Sequence, residues 1–316
     1  MAESRIIAIV GATGAQGGGL ARAILRNGAG FAVRALTRDT TSIRARELAD
    51  LGAEVIGADI DDPASLDRAF AGAYGAYCVT FYWEHLSPDR EIAQARAMAA
   101  AARRARLQHL IWSTFEDTRT WVPLDDSRMP TLMGRYKVPH FDAKGEADSF
   151  FADLPVTFLR TSFYWDNLIY FGMGPKPRED GRLALAFPLG DKKLPGIAAE
   201  DIGKCAYGIF RRQRSLIGKT LGIAGEHLSG GQMAAALTRA LGREVAYEDV
   251  DPDQYRHFGV PGIPEMGNMF QFKRDFEPHY CSVRDVRFSR HLNPDLQTFD
   301  IWLARNKHRI PIRPGS

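Results

Sequence analysis

The feature that most constrains the fold is a glycine-rich turn that directly follows a short apolar run near the start of the chain. The apolar residues 6–10 lead into Gly11-Ala12-Thr13-Gly14-Ala15-Gln16-Gly17, and an Ala- and Leu-rich helical stretch continues to Gly28. The first glycine permits a tight turn, the second lets backbone approach a diphosphate, and the third lets the helix pack closely on the sheet. The helix N-terminus adds free N–H groups and a partial positive charge. We predict a dinucleotide-binding turn; the alternative is a glycine turn without a ligand.

The residue after the second predicted strand indicates which dinucleotide would bind. This strand covers 32–37, and Arg38 follows it where an NAD-selective site commonly has an acidic residue. A guanidinium can bind a ribose 2′-phosphate with two hydrogen bonds, and the hydroxyls of residues 40–42 would add donors. This favours NADP(H), the alternative being an exposed arginine at a strand end. Asp59, after the third strand, is placed either to meet the adenine or to act as a turn or helix-cap carboxylate.

Apolar strand-like runs alternate with helical stretches over the first half of the chain. Helix start signals occur at Asp62-Pro63 and Ser87-Pro88, where a capping side chain precedes a proline. The pattern is typical of an α/β fold with a Rossmann-type, doubly wound parallel sheet. The predicted strands are 6–10, 32–37, 54–57, 76–80, 109–113 and 156–160.

The alternation weakens after residue 160, where glycine and proline clusters mark turns at 174–177, 180–181 and 188–190. Further helices are predicted at 201–212, 229–241 and 298–306. We interpret residues 1–160 as an NADP(H)-binding Rossmann domain, completed by part of 195–225. Residues 161–316 are interpreted as a smaller α+β lobe for a substrate or partner.

Composition excludes several other functions. The chain of 316 residues has 41 Lys and Arg against 38 Asp and Glu, a net charge of +3, which argues against a direct nucleic-acid interface. No apolar run reaches the roughly 18 residues of a membrane helix. The three cysteines, Cys78, Cys205 and Cys281, have no disulfide or zinc spacing, and the histidines have no metal-ligand spacing. We expect a cytoplasmic protein without a metal, either monomeric or a homodimer.

Several segments together resemble the NmrA-like family of atypical short-chain dehydrogenases, in particular its NADPH-sensing members. They are GATGAQGG, LTRD, GAEVIGADIDD, GAYGAYCVTFYWE, HFDAKGEAD, FYWDNL and HFGVPG, in family order over nearly the whole chain. The resemblance implies that the glycine turn binds NADP, that Arg38 and the segment to Ser42 bind its 2′-phosphate, and that the adenine lies near Asp59. It also implies that Lys144 reaches the nicotinamide ribose. The cofactor-binding residues implied are Gly11, Ala12, Thr13, Gly14, Ala15, Gln16, Gly17, Thr37, Arg38, Ser42, Asp59, Ile60, Thr80, Phe81, Tyr82, Lys144, Tyr164, Trp165, Asp166 and Asn167. Within that set, residues 80–82 would line the ribose and diphosphate path, and residues 164–167 would close over the nicotinamide.

The catalytic pair of ordinary short-chain dehydrogenases is altered in this chain. Those enzymes use Tyr-x-x-x-Lys, in which the ammonium lowers the tyrosine pKa for proton transfer. Here His140 stands four residues before Lys144, and Tyr136 is separated from that lysine by Pro139. His140 is either a proton donor or a first-turn helix residue without chemistry. The catalytic candidates are His140, Lys144 and, from the segment implied to close over the nicotinamide, Tyr164.

Other side chains have two interpretations each. Ser113 and Thr114 either orient a substrate carbonyl or cap the following segment. An aromatic group suggests a pocket for a planar apolar substrate, although packing is the commoner role of such residues; it comprises Trp83, His85, Phe163, Tyr164 and Trp165. A second group forms a flexible lid or an interlobe contact or, as we favour, packs in the core; it comprises Met266, Met269, Phe270 and Phe272.

Two functions fit these features. In the first, an NADP(H)-binding redox sensor changes its affinity for a regulatory protein partner with the NADPH/NADP state, because a dinucleotide site accompanies a missing catalytic tyrosine. In the alternative, an NADPH-dependent reductase acts on a small aromatic carbonyl, quinone or imine, with His140, Tyr164 or water as the proton source.

Overall fold

The computed structural model describes residues 4–28, 30–258 and 262–312, so positions 259–261 of the HFGVPG segment lie outside this part. The chain divides into two compact units. The first contains residues 1–117, 140–161 and 199–221, and the second contains residues 118–139, 162–198 and 222–316. Which unit holds a coenzyme and which a substrate or partner stays a prediction.

The strands are β1 (Arg5–Ile9), β2 (Phe31–Thr37), β3 (Glu54–Gly57), β4 (Gly75–Cys78), β5 (His109–Thr114), β6 (Val156–Arg160), β7 (Phe163–Tyr164), β8 (Lys176–Pro177), β9 (Leu183–Phe187), β10 (Lys193–Ile197), β11 (Thr220–Gly222), β12 (Glu226–Ser229) and β13 (Val245–Asp249). The α-helices are α1 (Ala15–Asn27), α2 (Ile43–Asp50), α3 (Pro63–Phe70), α4 (Pro88–Arg104), α5 (Pro139–Ala147), α6 (Asn167–Tyr170), α7 (Ala199–Arg211), α8 (Gly230–Leu241), α9 (Pro252–Arg256), α10 (Ile263–Asp275), α11 (Glu277–Ser282), α12 (Val286–Leu292) and α13 (Phe299–Asn306).

The central sheet has the strand order β11-β6-β5-β4-β1-β2-β3 within the described residues. Strand β1 pairs in parallel with β2 on one side and with β4 on the other, so that Ile9 lies opposite both Ala35 and Tyr77. The order reverses between β1 and β4, which is the switch point at which doubly wound sheets bind ligands. The predicted α/β fold with a doubly wound parallel sheet is confirmed. The fourth strand ends at Cys78, two residues earlier than predicted.

The predicted helix starts at residues 62–63, 87–88, 229 and 298 are also confirmed. Asp62 caps α3 and Ser87 caps α4, each accepting a backbone N–H, with a proline in the first turn of the helix. Ser229 begins α8 through a capping box, and Thr298 caps α13. Helix α7 begins at Ala199, two residues before the predicted start.

Helices α1 and α7 pack against each other at glycine positions in the first unit. A Cβ on Gly203 would lie 2.0 Å from the backbone N of Leu20, and one on Gly19 would lie 2.6 Å from the carbonyl oxygen of Glu200. Because both neighbours are backbone atoms, neither contact can be relieved by a side-chain rotation. Gly19, past the turn, and Gly203 therefore serve the packing of these two helices.

The second unit contains two small sheets, β12-β10-β7 and β13-β9-β8. The side chains of α10 predicted to pack rather than form a lid are buried, which confirms the packing interpretation for Met266, Met269, Phe270 and Phe272. Among the described residues, no helix has the length and apolar character to span a membrane.

Candidate functional site

The glycine turn between β1 and α1 has the geometry of an anion cradle. Gly11 adopts a left-handed φ of +64°, which favours glycine. A Cβ on Gly17 would lie 2.4 Å from the carbonyl oxygen of Gly11, so a side chain there would push the turn open. Gly14 is the N-cap of α1 without a side-chain cap, and the first turn of α1 has no acidic residue. No capping side chain therefore accepts from the first backbone N–H groups of α1, and N–H groups in this position can bind a pyrophosphate.

Gln16, in the first turn of α1, ties this cradle to the sheet. Its Oε1 accepts hydrogen bonds from the hydroxyls of Ser113, at 2.9 Å, and Tyr77. The hydroxyl of Ser113, predicted either to orient a substrate or to cap, is thus directed at the helix start. Thr114 instead donates to the carboxylate of Asp148 at 2.6 Å.

Arg38 lies just after β2, as predicted, but its guanidinium has a protein partner. It forms an ion pair with Glu84, the last residue of a short 3-10 turn, Tyr82–Glu84, that follows β4. The hydrogen bond to Glu84 raises the pKa of Arg38 above its ordinary value. The Arg38 side chain is 59% exposed. It can therefore reach a ligand, and its contact with a 2′-phosphate stays a prediction.

The hydroxyls that follow Arg38 organise their own loop. Thr41 Oγ1 donates to a carboxylate oxygen of Asp39 at 2.6 Å, and Ser42 Oγ donates to the Asp39 carbonyl at 3.0 Å while capping α2. In the first turn of α2, Arg44 donates to the Thr13 carbonyl in the glycine turn at 3.2 Å. Arg44 was not among the predicted residues, although it lies only six positions after Arg38.

The segment predicted to meet the adenine forms a turn stabilised by carboxylates. Asp59 Oδ1 accepts the backbone N–H of Asp61 at 3.0 Å, which fits the turn role left open for it. Ile60 packs against the hydrophobic core. Hydrogen bonds from Arg90 lower the pKa of Asp61, with Gln94 donating to the same carboxylate at 2.9 Å.

Lys144 is buried in a charged cluster at the carboxyl end of β4. Its Nζ lies 2.8 Å from Glu91 Oε1 and also donates to the hydroxyl and carbonyl of Thr80. Thr80 Oγ1 contacts the same Glu91 oxygen at 2.6 Å. Burial alone would raise the pKa of Glu91, but the Lys144 charge and hydrogen bonds outweigh it and lower this pKa to about 2. Two predicted cofactor residues, Thr80 and Lys144, are thus brought together by a carboxylate the sequence analysis had not singled out.

His85 adds an imidazole to the cluster. Its Nδ1 accepts the backbone N–H of Ser87 at 3.1 Å, and its Nε2 lies 3.5 Å from Glu91 Oε2. An imidazole that accepts at Nδ1 carries its proton at Nε2, so this tautomer turns an N–H toward the buried carboxylate. His85, predicted as part of an aromatic pocket or as packing, therefore faces a charge.

His140 lies in the first turn of α5 and is only 5% exposed. Aromatic rings surround it: the centroid of Trp83 is 4.9 Å away, that of Tyr82 5.7 Å and that of Phe115 6.0 Å. Phe81, by contrast, is 54% exposed. The helix begins at Pro139, which confirms that Tyr136 and Lys144 do not share one continuous helix.

A second, partly buried carboxyl group lies four residues after Lys144, just past the end of α5. Asp148 Oδ1 accepts hydrogen bonds from Thr114 Oγ1 and from Trp112 Nε1, the latter at 2.9 Å. Burial raises the pKa of Asp148 to about 6, against the opposing effect of these hydrogen bonds. The carboxyl groups of Glu91 and Asp148 thus have pKa values shifted in opposite directions.

The residues predicted to close over the nicotinamide lie in the second unit. Tyr164 ends β7, Asp166 precedes α6, and Asn167 begins that helix. Trp165 is 1% exposed, and its ring packs on those of Phe299 and Trp302 with centroid distances of 5.3 and 6.4 Å. The structure thus gives Trp165 a packing role, and its contact with a coenzyme stays a prediction.

The first unit can therefore do two things chemically: bind an anion at the start of α1 and hold a buried ammonium at the carboxyl end of β4. Within the described residues, no group of three or more His, Cys, Asp or Glu side chains could hold a metal ion.

Comparisons with known proteins place this geometry in a family. A sequence model of the NmrA-like family matches residues 3–303. The NmrA-like family domain-containing oxidoreductase FrzB of Cladobotryum sp is 30% identical over 84% of this chain and 83% of its own length. The oxidoreductase cpsB of Aspergillus campestris, described in the same words, is 28% identical over 84% of this chain and 80% of its own.

Solved structures share the fold at lower sequence identity. The negative transcriptional regulator NmrA in complex with NADP superimposes with a TM-score of 0.75 at 23% identity, covering 96% of this chain and 95% of that one. The Citrobacter sp. triphenylmethane reductase complexed with NADP(H) gives a TM-score of 0.71 at 18% identity, covering 96% and 99%. By its sequence, from residue 3 to residue 303, this chain belongs to the NmrA-like family.

Proposed function

We propose that this chain binds NADP(H) at the turn between β1 and α1 and reduces a small aromatic carbonyl, quinone or imine. The observation that carries the proposal is that an uncapped helix N-terminus and Arg38 follow β1 and β2 at one edge of the parallel sheet, while Lys144 contacts Thr80, just past the end of the neighbouring β4. Relatives named as oxidoreductases, and solved neighbours complexed with NADP or NADP(H), support it.

Each group has a distinct task in this proposal. The N–H groups of α1 hold the pyrophosphate, and Arg38 holds the 2′-phosphate. Lys144, which contacts Glu91 and Thr80, donates to the nicotinamide ribose. NADPH, when bound, supplies a hydride. His140 and Tyr164 are the proposed proton donors, since a carbonyl or imine that gains a hydride also needs a proton.

Coenzyme titration tests the binding half of the proposal. Calorimetric titration of the wild-type protein should give a lower Kd for NADPH than for NADH. Because a guanidinium–phosphate contact contributes about tenfold to a hundredfold in affinity, Arg38→Ala should weaken NADPH by about that factor and leave NADH within about twofold. Equal wild-type affinities for the two coenzymes would remove the 2′-phosphate assignment.

Reductase activity is tested by NADPH oxidation at 340 nm against a panel of aromatic aldehydes, quinones and cationic imines. We expect turnover with at least one class, and slower turnover in His140→Phe if that imidazole donates the proton. A silent panel, with NADPH shown to bind, would count against catalysis and favour the second candidate.

The second candidate is a redox sensor in which NADPH or NADP changes the affinity for a regulatory protein. The replacement of the catalytic tyrosine by His140, buried among aromatic rings, favours it. A sensor requires that the partner bind the NADPH-loaded and NADP-loaded protein with different affinity. Capture of a partner that is indifferent to NADPH, NADP and the coenzyme-free protein would contradict this candidate.

A further inference from the structure

The ion pair between Arg38 and Glu84 crosses the point where the glycine turn leaves the sheet. Arg38 follows β2, Glu84 lies in the turn after β4, and β1 is the strand between them. The pair therefore spans the carboxyl end of β1, from which the glycine turn emerges. The Glu84 carboxylate thus forms an ion pair with Arg38, the guanidinium that the sequence predicts to bind a 2′-phosphate.

We propose that Glu84 is a specificity-determining residue that competes with the 2′-phosphate for Arg38 and so limits the preference for NADPH over NADH. This inference rests on the proposed coenzyme site. A phosphate that approaches Arg38 meets the negative charge of Glu84 and must displace its carboxylate from the guanidinium donors. The unphosphorylated coenzyme presents a 2′-hydroxyl there, which bears no charge and can donate to a carboxylate.

The surroundings of Arg38 support competition rather than help for the phosphate. The charged groups acting on the guanidinium are Glu84 and Asp59, both acidic, and Arg90, which is itself bonded to Asp61. The exposed fractions of the Arg38 and Glu84 side chains are 59% and 41%. Breaking an ion pair this exposed costs little free energy, so Glu84 lowers the affinity for NADPH without preventing its binding.

The test compares Glu84→Gln with the wild type in calorimetric titrations of NADPH and NADH. Glutamine keeps the shape but loses the charge, so NADPH should bind about threefold to tenfold more tightly. NADH should bind equally well or more weakly. The ratio of the two Kd values, rather than either alone, is the readout, because a merely structural role in the 3-10 turn would weaken both coenzymes together.

A matched control removes the same charge from another exposed carboxylate in the first unit, that of Glu54, whose partner Arg34 is buried. Glu54 accepts from Arg34 Nε at 2.7 Å and is 52% exposed, so Glu54→Gln should leave the ratio unchanged within about twofold. In the Arg38→Ala background the effect of Glu84→Gln should shrink below about twofold, since no guanidinium remains to be contested.

The outcomes separate this inference from the proposed function. One outcome overturns the competition and leaves the coenzyme site in place. In it, the wild type prefers NADPH and Arg38→Ala abolishes that preference, but Glu84→Gln changes the Kd ratio no more than Glu54→Gln does. An equal gain from Glu84→Gln with and without Arg38 would also overturn it, by indicating a long-range charge effect. Failure of the wild type to bind either coenzyme overturns both.

Discussion

The buried pair of Glu91 and Lys144 offers a quantitative test of the site. In the variant Glu91→Gln, the oxygen that contacts the Thr80 hydroxyl at 2.6 Å is kept, but the charge 2.8 Å from Lys144 Nζ is lost. Glu91 is fully buried and Lys144 is 5% exposed, so water cannot replace the lost carboxylate. The variant therefore leaves the buried Lys144 ammonium without the carboxylate that contacts it.

Two arguments give a similar loss of unfolding free energy for Glu91→Gln. Removal of one member of a buried ion pair costs about 3 to 5 kcal/mol of unfolding free energy. Independently, a lowering of the Glu91 pKa from its ordinary 4.5 to about 2 corresponds to about 3 kcal/mol. We expect Glu91→Gln to destabilise the protein by about 3 kcal/mol at pH 7. Replacing both charges, as in Glu91→Gln with Lys144→Met, should cost less than the sum of the single changes.

The assay is urea unfolding of the wild type, the two single variants and the double variant, which together give a coupling energy of about 2 to 3 kcal/mol. Because the folded-state pKa of Glu91 is depressed, its contribution is complete above about pH 5 and is lost as the pH falls toward 2. Glu91→Gln should therefore flatten the acid limb of the stability curve. Single variants that add within about 0.5 kcal/mol, or an unchanged acid limb, would refute the reasoning.

Two further changes test the first unit. Asp148→Asn keeps the oxygen that accepts from Thr114 and Trp112 and removes the carboxyl group, whose pKa is raised to about 6. Wild-type stability should fall as the pH rises from about 4 to 6, and the variant should lack that fall. At pH 8 its unfolding free energy should exceed that of the wild type by up to about 3 kcal/mol, with a higher melting temperature; a lower melting temperature there would contradict this. Gly203→Ala, with its Cβ 2.0 Å from backbone, should cost about 1 to 3 kcal/mol or more in urea unfolding, whereas Gly231→Ala in α8, whose nearest neighbour is 3.9 Å away, should be close to neutral.

The fold was predictable because local signals and the sheet pattern agree. The glycine turn, the alternation of strands and helices, and the caps at Asp62, Ser87 and Ser229 each mark their own element without reference to the rest of the chain. Strand ends were less certain, since β4 stops at Cys78 while its apolar character continues. Where pairing ends depends on neighbouring strands, which a single segment does not encode.

The charged cluster was harder to predict. Glu91 reads as an acidic residue in the first turn of α4, a common and solvent-exposed position. A signal does exist: Glu91 shares the spacing of Ala95, Met98 and Ala102, all buried on one face of the helix. A carboxylate on an apolar face needs a buried partner, but the identity of Lys144 as that partner depends on a helix 53 positions away in the sequence.

The opposite shifts at Glu91 and Asp148 show why burial alone does not decide what a buried carboxyl group does to stability. Both receive the same chemical change, from acid to amide, beside the carboxyl ends of neighbouring strands. Glu91 faces an ammonium, so its charge is stabilised and the amide is expected to destabilise the protein. Asp148 accepts from a hydroxyl and an indole, and these hydrogen bonds, with the more distant charges of Arg160 and Lys144, do not offset the desolvation of its charge, so the amide is expected to stabilise the protein. An account based on burial predicts one sign for both variants, whereas an account based on partners predicts two.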